Sequence, residues 1–372
     1  MLKDIFQPAK AGVLELKNRI AMAPMTRARN ADGIPNEHNV QYYTQRTGAG
    51  LIITEGTAIS DTSMGVLHIP GLYTNEQVEG WKKVTAAVHR EGAKIFTQLW
   101  HVGRVSHVSN QPMRQAPVGV SALQASNSFA WGYDEKGIEG FVTCSKPRVL
   151  STEEIQLIIA DFAHAAKNAI RAGFDGVELH GANGYLIEQF LNPHINNRRD
   201  QYGGSVENRS RFLLEAIDAC ISEIGAEKVA IRLTPYGGLH ELPHYEEIDE
   251  TYKGLATALN QRGIAYIHIM DQQSRGSFAL PAGFLQKFRN WYSGTIILAG
   301  GMTRQKSAEL INDGVIDIAG FGEPFIANPD LVERLKNNWS LTPPKRELHY
   351  GLTLEGYTDW PAYSGEEILQ II

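Results

Sequence analysis

His180, Asn183 and Tyr185 lie in one short stretch, HGANGY, and their side chains suit one task. An imidazole and a carboxamide can both donate hydrogen bonds to a single oxygen. Tyr185, a phenol that ordinarily titrates near ~10, can supply a proton. His180 and Asn183 are three positions apart, so a helical turn there would put them on one face. The spacing by itself is common, and buried tyrosines are often hydrogen-bonded core. Arg232 stands in an otherwise apolar run, VAIRLTP. A buried guanidinium is costly unless it meets an anion or dipoles, so a structural carboxylate or a negatively charged ligand is expected beside it. Gly300, Gly301 and Gly322 end two other apolar runs. Glycine lets a backbone approach a phosphate closely, and it also serves tight turns. Metal chemistry is not indicated: HExxH is absent, and Cys144 and Cys220 form neither a CxxC nor a ligand spacing.

These residues need a frame. Eight short apolar runs, at 19–25, 51–57, 94–100, 176–181, 229–235, 266–271, 295–301 and 317–323, barely alternate in polarity. That pattern belongs to strands buried on both faces, as in a parallel sheet. Amphipathic stretches separate them. In STEEIQLIIADFAHAAKNAIRAG, Ser151 and Glu154 read as a capping box. Ile155, Ile158, Ile159, Phe162, Ala165 and Ala166 form one face, and Gly173 is a natural stop. Eight such units predict an α/β fold, a (β/α)8 TIM barrel, ahead of an open sheet. Residues 1–18 read as an N-terminal hairpin at the barrel bottom, and 101–150 as a long insertion after strand 3. Within it, FVTCSKPRVL is predicted to form a small strand pair. The tail carries Tyr350, Tyr357, Trp360 and Tyr363. No linker divides the chain, so a single domain over 1–372 is expected. Barrel active sites form where strands end. Pro24, Met25 and Thr26 end the first strand, Gln98 and Trp100 the third, and His180 the fourth.

Composition narrows the function classes. Of 372 residues, 43% are hydrophobic and 20% charged, with net charge −6. A nucleic-acid binder would show a basic surface instead. The N-terminus lacks the apolar core of a signal peptide, and no run of about 18 apolar residues occurs. A cytoplasmic protein without membrane or nucleic-acid partners is expected.

The stretch HGANGYLIEQFLNPHINNRRDQYGGSVENRSRF (180–212) resembles the signature of the old yellow enzyme family, whose bacterial members include N-ethylmaleimide and pentaerythritol tetranitrate reductases. The resemblance runs in order from NRIAMAPMTR (18–27) through ITEGTAIS, FTQLWHVGRVSH, AIRLTP, ILAGG and FIANPDL to EGYTDWP (355–361). It implies an FMN-binding (β/α)8 barrel, an NADPH-dependent ene-reductase. By position, Pro24, Met25 and Thr26 would contact the flavin, with the Thr26 hydroxyl at its C4 carbonyl. Ala58 and Gln98 would hold the pyrimidine side, and Arg232 the N1/C2 edge. Gly300, Gly301 and Gly322 would cradle the phosphate. Val66, Trp100 and Tyr350 would line the substrate pocket. His180 and Asn183 match the pair that binds a carbonyl or nitro oxygen, and Tyr185 the proton donor to the α-carbon. Activated alkenes and nitro compounds are the implied substrates, and a monomer or homodimer the implied assembly.

Two positions depart from the pattern. Glu323 stands where the family has an arginine beside the phosphate. Its side chain is expected to turn away while its amide serves, at a cost to FMN affinity. Val66 stands where bacterial relatives often have a tyrosine, which would reshape the pocket. Other classes stay open: a nitroester or nitroaromatic reductase on the same site, a non-flavin phosphate-binding lyase or isomerase, and a barrel that binds without turnover. The lyase or isomerase would need a strand-end lysine or a carboxylate metal site, and neither stands out.

Overall fold

The computed structural model describes residues 4–365. Its centre is a closed barrel of eight strands: Ile20–Met22, Leu51–Ala58, Lys94–Trp100, Gly176–Gly181, Val229–Leu233, Ile267–Met270, Ile296–Ala299 and Ile318–Phe321. Every pairing between them is parallel. All eight apolar runs supply a strand, and all but Lys94 of their strand residues are buried. Helices on the outside cover the faces that a parallel sheet must hide. In Thr152–Arg171 the Ser151 side chain accepts from the Glu154 amide and the Glu154 carboxylate accepts from the Ser151 amide. The six apolar positions of its predicted face are all buried, and Gly173 follows with φ +87.

The bottom of the barrel is closed. Ala9–Ala11 and Leu14–Leu16 form the predicted antiparallel hairpin; residues 1–3 of that segment lie outside the described residues. Its turn residue Gly12 has φ +58, and a Cβ there would lie 3.1 Å from the Ala265 Cα. The Gly12 amide donates to Thr295 Oγ1 at 3.3 Å. Ala265 and Thr295 precede the sixth and seventh strands, so the hairpin covers the N-terminal ends. Ala11 and Leu16 pack into a cluster with Leu51, Phe96, Tyr266 and Ile297. Burying Leu16 contributes roughly 1.5–3 kcal/mol. Ligands therefore have to enter at the opposite rim.

The insertion after the third strand departs from expectation. FVTCSKPRVL yields two strands that do not pair with each other. Glu139–Thr143 pairs antiparallel with Phe129–Tyr133, and Arg148–Val149 pairs with Val118–Gly119. This stretch does not fold back on itself: the Cys144 amide donates to Ser128 O, and the Arg148 amide to Pro117 O. Pro147, between them, has no amide to continue the first ladder. Over the rim lies the tail. Tyr357 stacks on Tyr42 with ring centroids 4.2 Å apart, and the Arg27 guanidinium donates to the carbonyls of Leu348, His349 and Gly356.

Candidate active site

Strand register brings the polar side chains of four strands together. Gln98 is level with Glu178, while His180, Arg232 and His268 share one rung. Gln98 Nε2 donates to Glu178 Oε1 at 2.8 Å, and His268 Nδ1 meets Glu178 Oε2 at 2.9 Å. The Glu178 carboxylate can only accept from the carboxamide, so Gln98 keeps its Oε1 free of that contact. Glu178 and His268 were missed in the sequence. The signal was the one that exposed Arg232, a charged or polar residue inside an apolar run. Arg232 itself forms no ion pair among the described residues. Its Nη2 reaches only Met270 Sδ at 3.2 Å, and its buried Nε has no partner. Burial pushes this guanidinium down to about 10, against the pull of Glu178. A buried cation with an orphaned donor is a place for an anionic ligand edge.

The fourth strand delivers His180, and the chain then turns. The Trp100 and His180 rings stack at 5.9 Å, and Tyr185 meets both edge-on, at 4.8 Å from Trp100 and 4.9 Å from His180. Trp100 lies over Gly56, where any Cβ would collide with the indole. The helical turn considered for 180–183 is not formed. Asn183 has φ +58, a left-handed residue in a tight turn, and asparagine tolerates that conformation because its short side chain bonds locally. Its amide donates to Thr234 Oγ1 at 3.0 Å. Thr234 Oγ1 in turn donates to Glu188 Oε1 at 2.6 Å, and the Gly184 amide donates to Glu188 Oε2 at 2.6 Å. Glu188, on the helix Leu186–Leu191, thus holds the turn from below.

Burial sets the charges here. It drives the His180 imidazole well below its ordinary range, and the nearby Arg232 cation adds to the effect. Among the described residues, the buried His180 Nδ1 has no partner. Burial raises the Tyr185 phenol and lifts Glu188 to about 7. On the wall, Val66 bridges to Trp131, whose ring lies 5.7 Å from Tyr350. Trp131 was also missed, since nothing in the insertion's sequence ties it to the rim.

The remaining predicted residues lie along the same rim. Ala58 is paired with Trp100. Pro24, Met25 and Thr26 leave the first strand beside the eighth, and a Cβ on Gly322 would lie 3.7 Å from Met25 Sδ. Gly300 has φ +105 and would strike the Asp271 carbonyl with any side chain. Gly301 has φ +60. Glu323 precedes the short helix Pro324–Ala327, and its charge acts on His349 of the tail. Open glycine backbone on one side and the orphaned Arg232 donor on the other fit a cofactor with a phosphate and an electron-rich ring.

A parallel barrel with this rim defines a (β/α)8-barrel protein with a ligand site at the C-terminal ends of its strands, and comparison with known proteins identifies the kind. Residues 4–342 match the model of the NADH:flavin oxidoreductase / NADH oxidase family. A putative 12-oxophytodienoate reductase 4 of Oryza sativa subsp. japonica is 43% identical over 367 residues, 96% of this chain and 92% of the relative. The structure of morphinone reductase superposes with a TM-score of 0.95 at 43% identity, covering 99% of both chains. A second structure of that enzyme, in complex with tetrahydroNAD, superposes at 0.94. An old yellow enzyme homologue from Zymomonas mobilis superposes at 0.91 with 36% identity, over 97% of this chain and 100% of the other. The chain belongs to this family, that of the old yellow enzymes. It is a flavin oxidoreductase of the ene-reductase type, and FMN is the cofactor its family implies.

Proposed function

We propose that the protein is an FMN-dependent ene-reductase, one FMN-binding barrel domain over residues 1–372, that uses NADPH to reduce α,β-unsaturated carbonyl and nitro compounds. The observation that carries this reading is the contact of a neutral, orphaned His180 with a protonated Tyr185 beside Trp100. FMN, when bound, would supply the hydride chemistry, while the residues of this chain bind and orient the substrate and hold the proton.

His180 and Asn183 hold the substrate's oxygen. Negative charge builds there in the transition state, and one donor aimed at such charge is worth about 3–4 kcal/mol. Tyr185 keeps its proton at neutral pH and gives it to the α-carbon. Arg232 Nε and Gln98 Oε1 would meet the ring's acceptor and N–H edges. Thr26 and Ala58, with Pro24 and Met25, would lie along the ring, and the amides of Gly300, Gly301, Gly322 and Glu323 would hold the phosphate. Val66, Trp100 and Tyr350 would shape the pocket. Relatives named as reductases of 12-oxophytodienoate and morphinone support a carbonyl substrate, and the tetrahydroNAD complex supports a nicotinamide reductant. Two buried, unbridged cysteines suit the reducing cytoplasm.

The test is ligand binding. His180→Ala should weaken phenol binding to the flavin-loaded protein roughly tenfold to a hundredfold, the worth of one charge-assisted hydrogen bond. A wild-type titration in that variant would remove His180 from the oxygen site.

A further inference from the structure

We propose that Gln272 is a positioning residue that fixes the polarity of the Asn183 carboxamide, so that its N–H donors and not its oxygen face the substrate. The inference rests on the reading that Asn183 holds the substrate's oxygen. It begins in the turn after the sixth strand, where the Gln272 side chain is buried. Gln272 Oε1 accepts from two backbone amides, Gly238 at 2.9 Å and Leu239 at 3.2 Å. Backbone amides can only donate, so the oxygen of Gln272 must occupy that end. Its Nε2 must then occupy the other, where it lies 3.1 Å from Asn183 Oδ1.

An amide nitrogen cannot usefully face another amide nitrogen. Asn183 is therefore obliged to offer Oδ1 to Gln272 and to turn Nδ2 the other way. Two backbone groups some distance along the chain thus decide which end of Asn183 a ligand meets. The loop around Gln272 is built closely. A Cβ on Gly237 would lie 2.7 Å from Gln272 Oε1, so a side chain there would displace the Gln272 carboxamide from its place. The Asn183 backbone amide donates to Thr234 Oγ1, which keeps its left-handed backbone in place. The consequence is a preference in substrate chemistry. The pocket favours ligands that present an acceptor at this point, a carbonyl or nitro oxygen, over ligands that present N–H or O–H.

The experiment uses the flavin-loaded enzyme and calorimetry, with two neutral probes. Cyclohexanone offers only an acceptor, and nicotinamide offers an acceptor and a donor on one carboxamide. In Gln272→Glu the side chain has only acceptors when ionised, so Asn183 must turn Nδ2 towards it and present Oδ1 to the ligand. Cyclohexanone binding should weaken about tenfold, the worth of one hydrogen bond replaced by an opposed pair, while nicotinamide stays within about twofold. Gln272→Met keeps the length, removes the constraint, and should give a smaller loss confined to cyclohexanone. Equal losses for both probes would mean that Gln272 only packs, and no loss would mean that Asn183 is oriented without it; either overturns the proposal. Asn183→Ala separates the two levels. If it leaves cyclohexanone binding unchanged, the oxygen-holding reading fails and the polarity argument falls with it. If it weakens cyclohexanone and Gln272→Glu does not, only the polarity argument falls.

Discussion

At His180 and Tyr185, burial sets the protonation states that the proposed chemistry needs. An imidazole held neutral does not charge up near pH 7, so it offers one N–H and adds no further cation beside Arg232. A phenol pushed up by burial keeps its proton until a more basic site appears, which the α-carbon becomes as the reaction proceeds. Tyr185→Phe should leave reduction of the flavin by the nicotinamide unchanged and slow enone turnover by roughly 10²–10⁴-fold. Separate stopped-flow measurement of the two half-reactions checks this, and unchanged enone turnover would remove Tyr185 from the mechanism. Arg232 was legible as a single residue because a charge in an apolar run is conspicuous. Glu178 and His268 carry the same mark, but their meaning depends on register. Each could have been a lone buried polar group until the strands were aligned and the carboxylate was found between Gln98 and His268.

The element that organises the site is the unit formed by the fourth strand, the tight turn and the helix Leu186–Leu191. The strand was readable from its apolar run, but a helical turn was the reading offered for 180–183. The left-handed backbone of Asn183 was not legible, because its supports, Thr234, Glu188 and Gln272, come from other segments. Glu188 makes the unit sensitive to pH. Its carboxyl rises to about 7 from an ordinary 4.5, chiefly through burial. A folded pKa above the unfolded one means that the folded state binds the extra proton between these values. The stability this gives is complete below about pH 4.5 and is lost as the pH rises through about 7. Glu188→Gln stays neutral throughout, so its melting temperature should gain on the wild type between pH 5 and pH 8. Parallel melting curves for the two proteins would contradict a buried, protonated Glu188.

On the scale of the molecule, the two ends of the barrel are treated oppositely. The hairpin seals the N-terminal end with apolar side chains. The C-terminal rim is left for ligands, and the tail is drawn across it to place Tyr350 against Trp131. The barrel was legible from eight apolar runs, but the path of the tail was not, because few of its contacts are apolar and periodic. Arg27 makes many of them. It is buried against the stacked pair of Tyr42 and Tyr357, 5.3 Å from each ring centroid, and its guanidinium serves three tail carbonyls and the Tyr42 hydroxyl. Removing it leaves several of those acceptors buried and unsatisfied, at about 1–3 kcal/mol each. Arg27→Met should therefore lower stability by about 3 kcal/mol or more and open the tail to protease ahead of the barrel. Arg27→Lys should restore little, since an ammonium cannot span the same set of carbonyls as a planar fork. Limited proteolysis alongside thermal melting reads both effects. A wild-type melting temperature with an uncut tail in Arg27→Met would show that the tail is held without Arg27, by its stacking and by Arg29, Asn39 and Gln45.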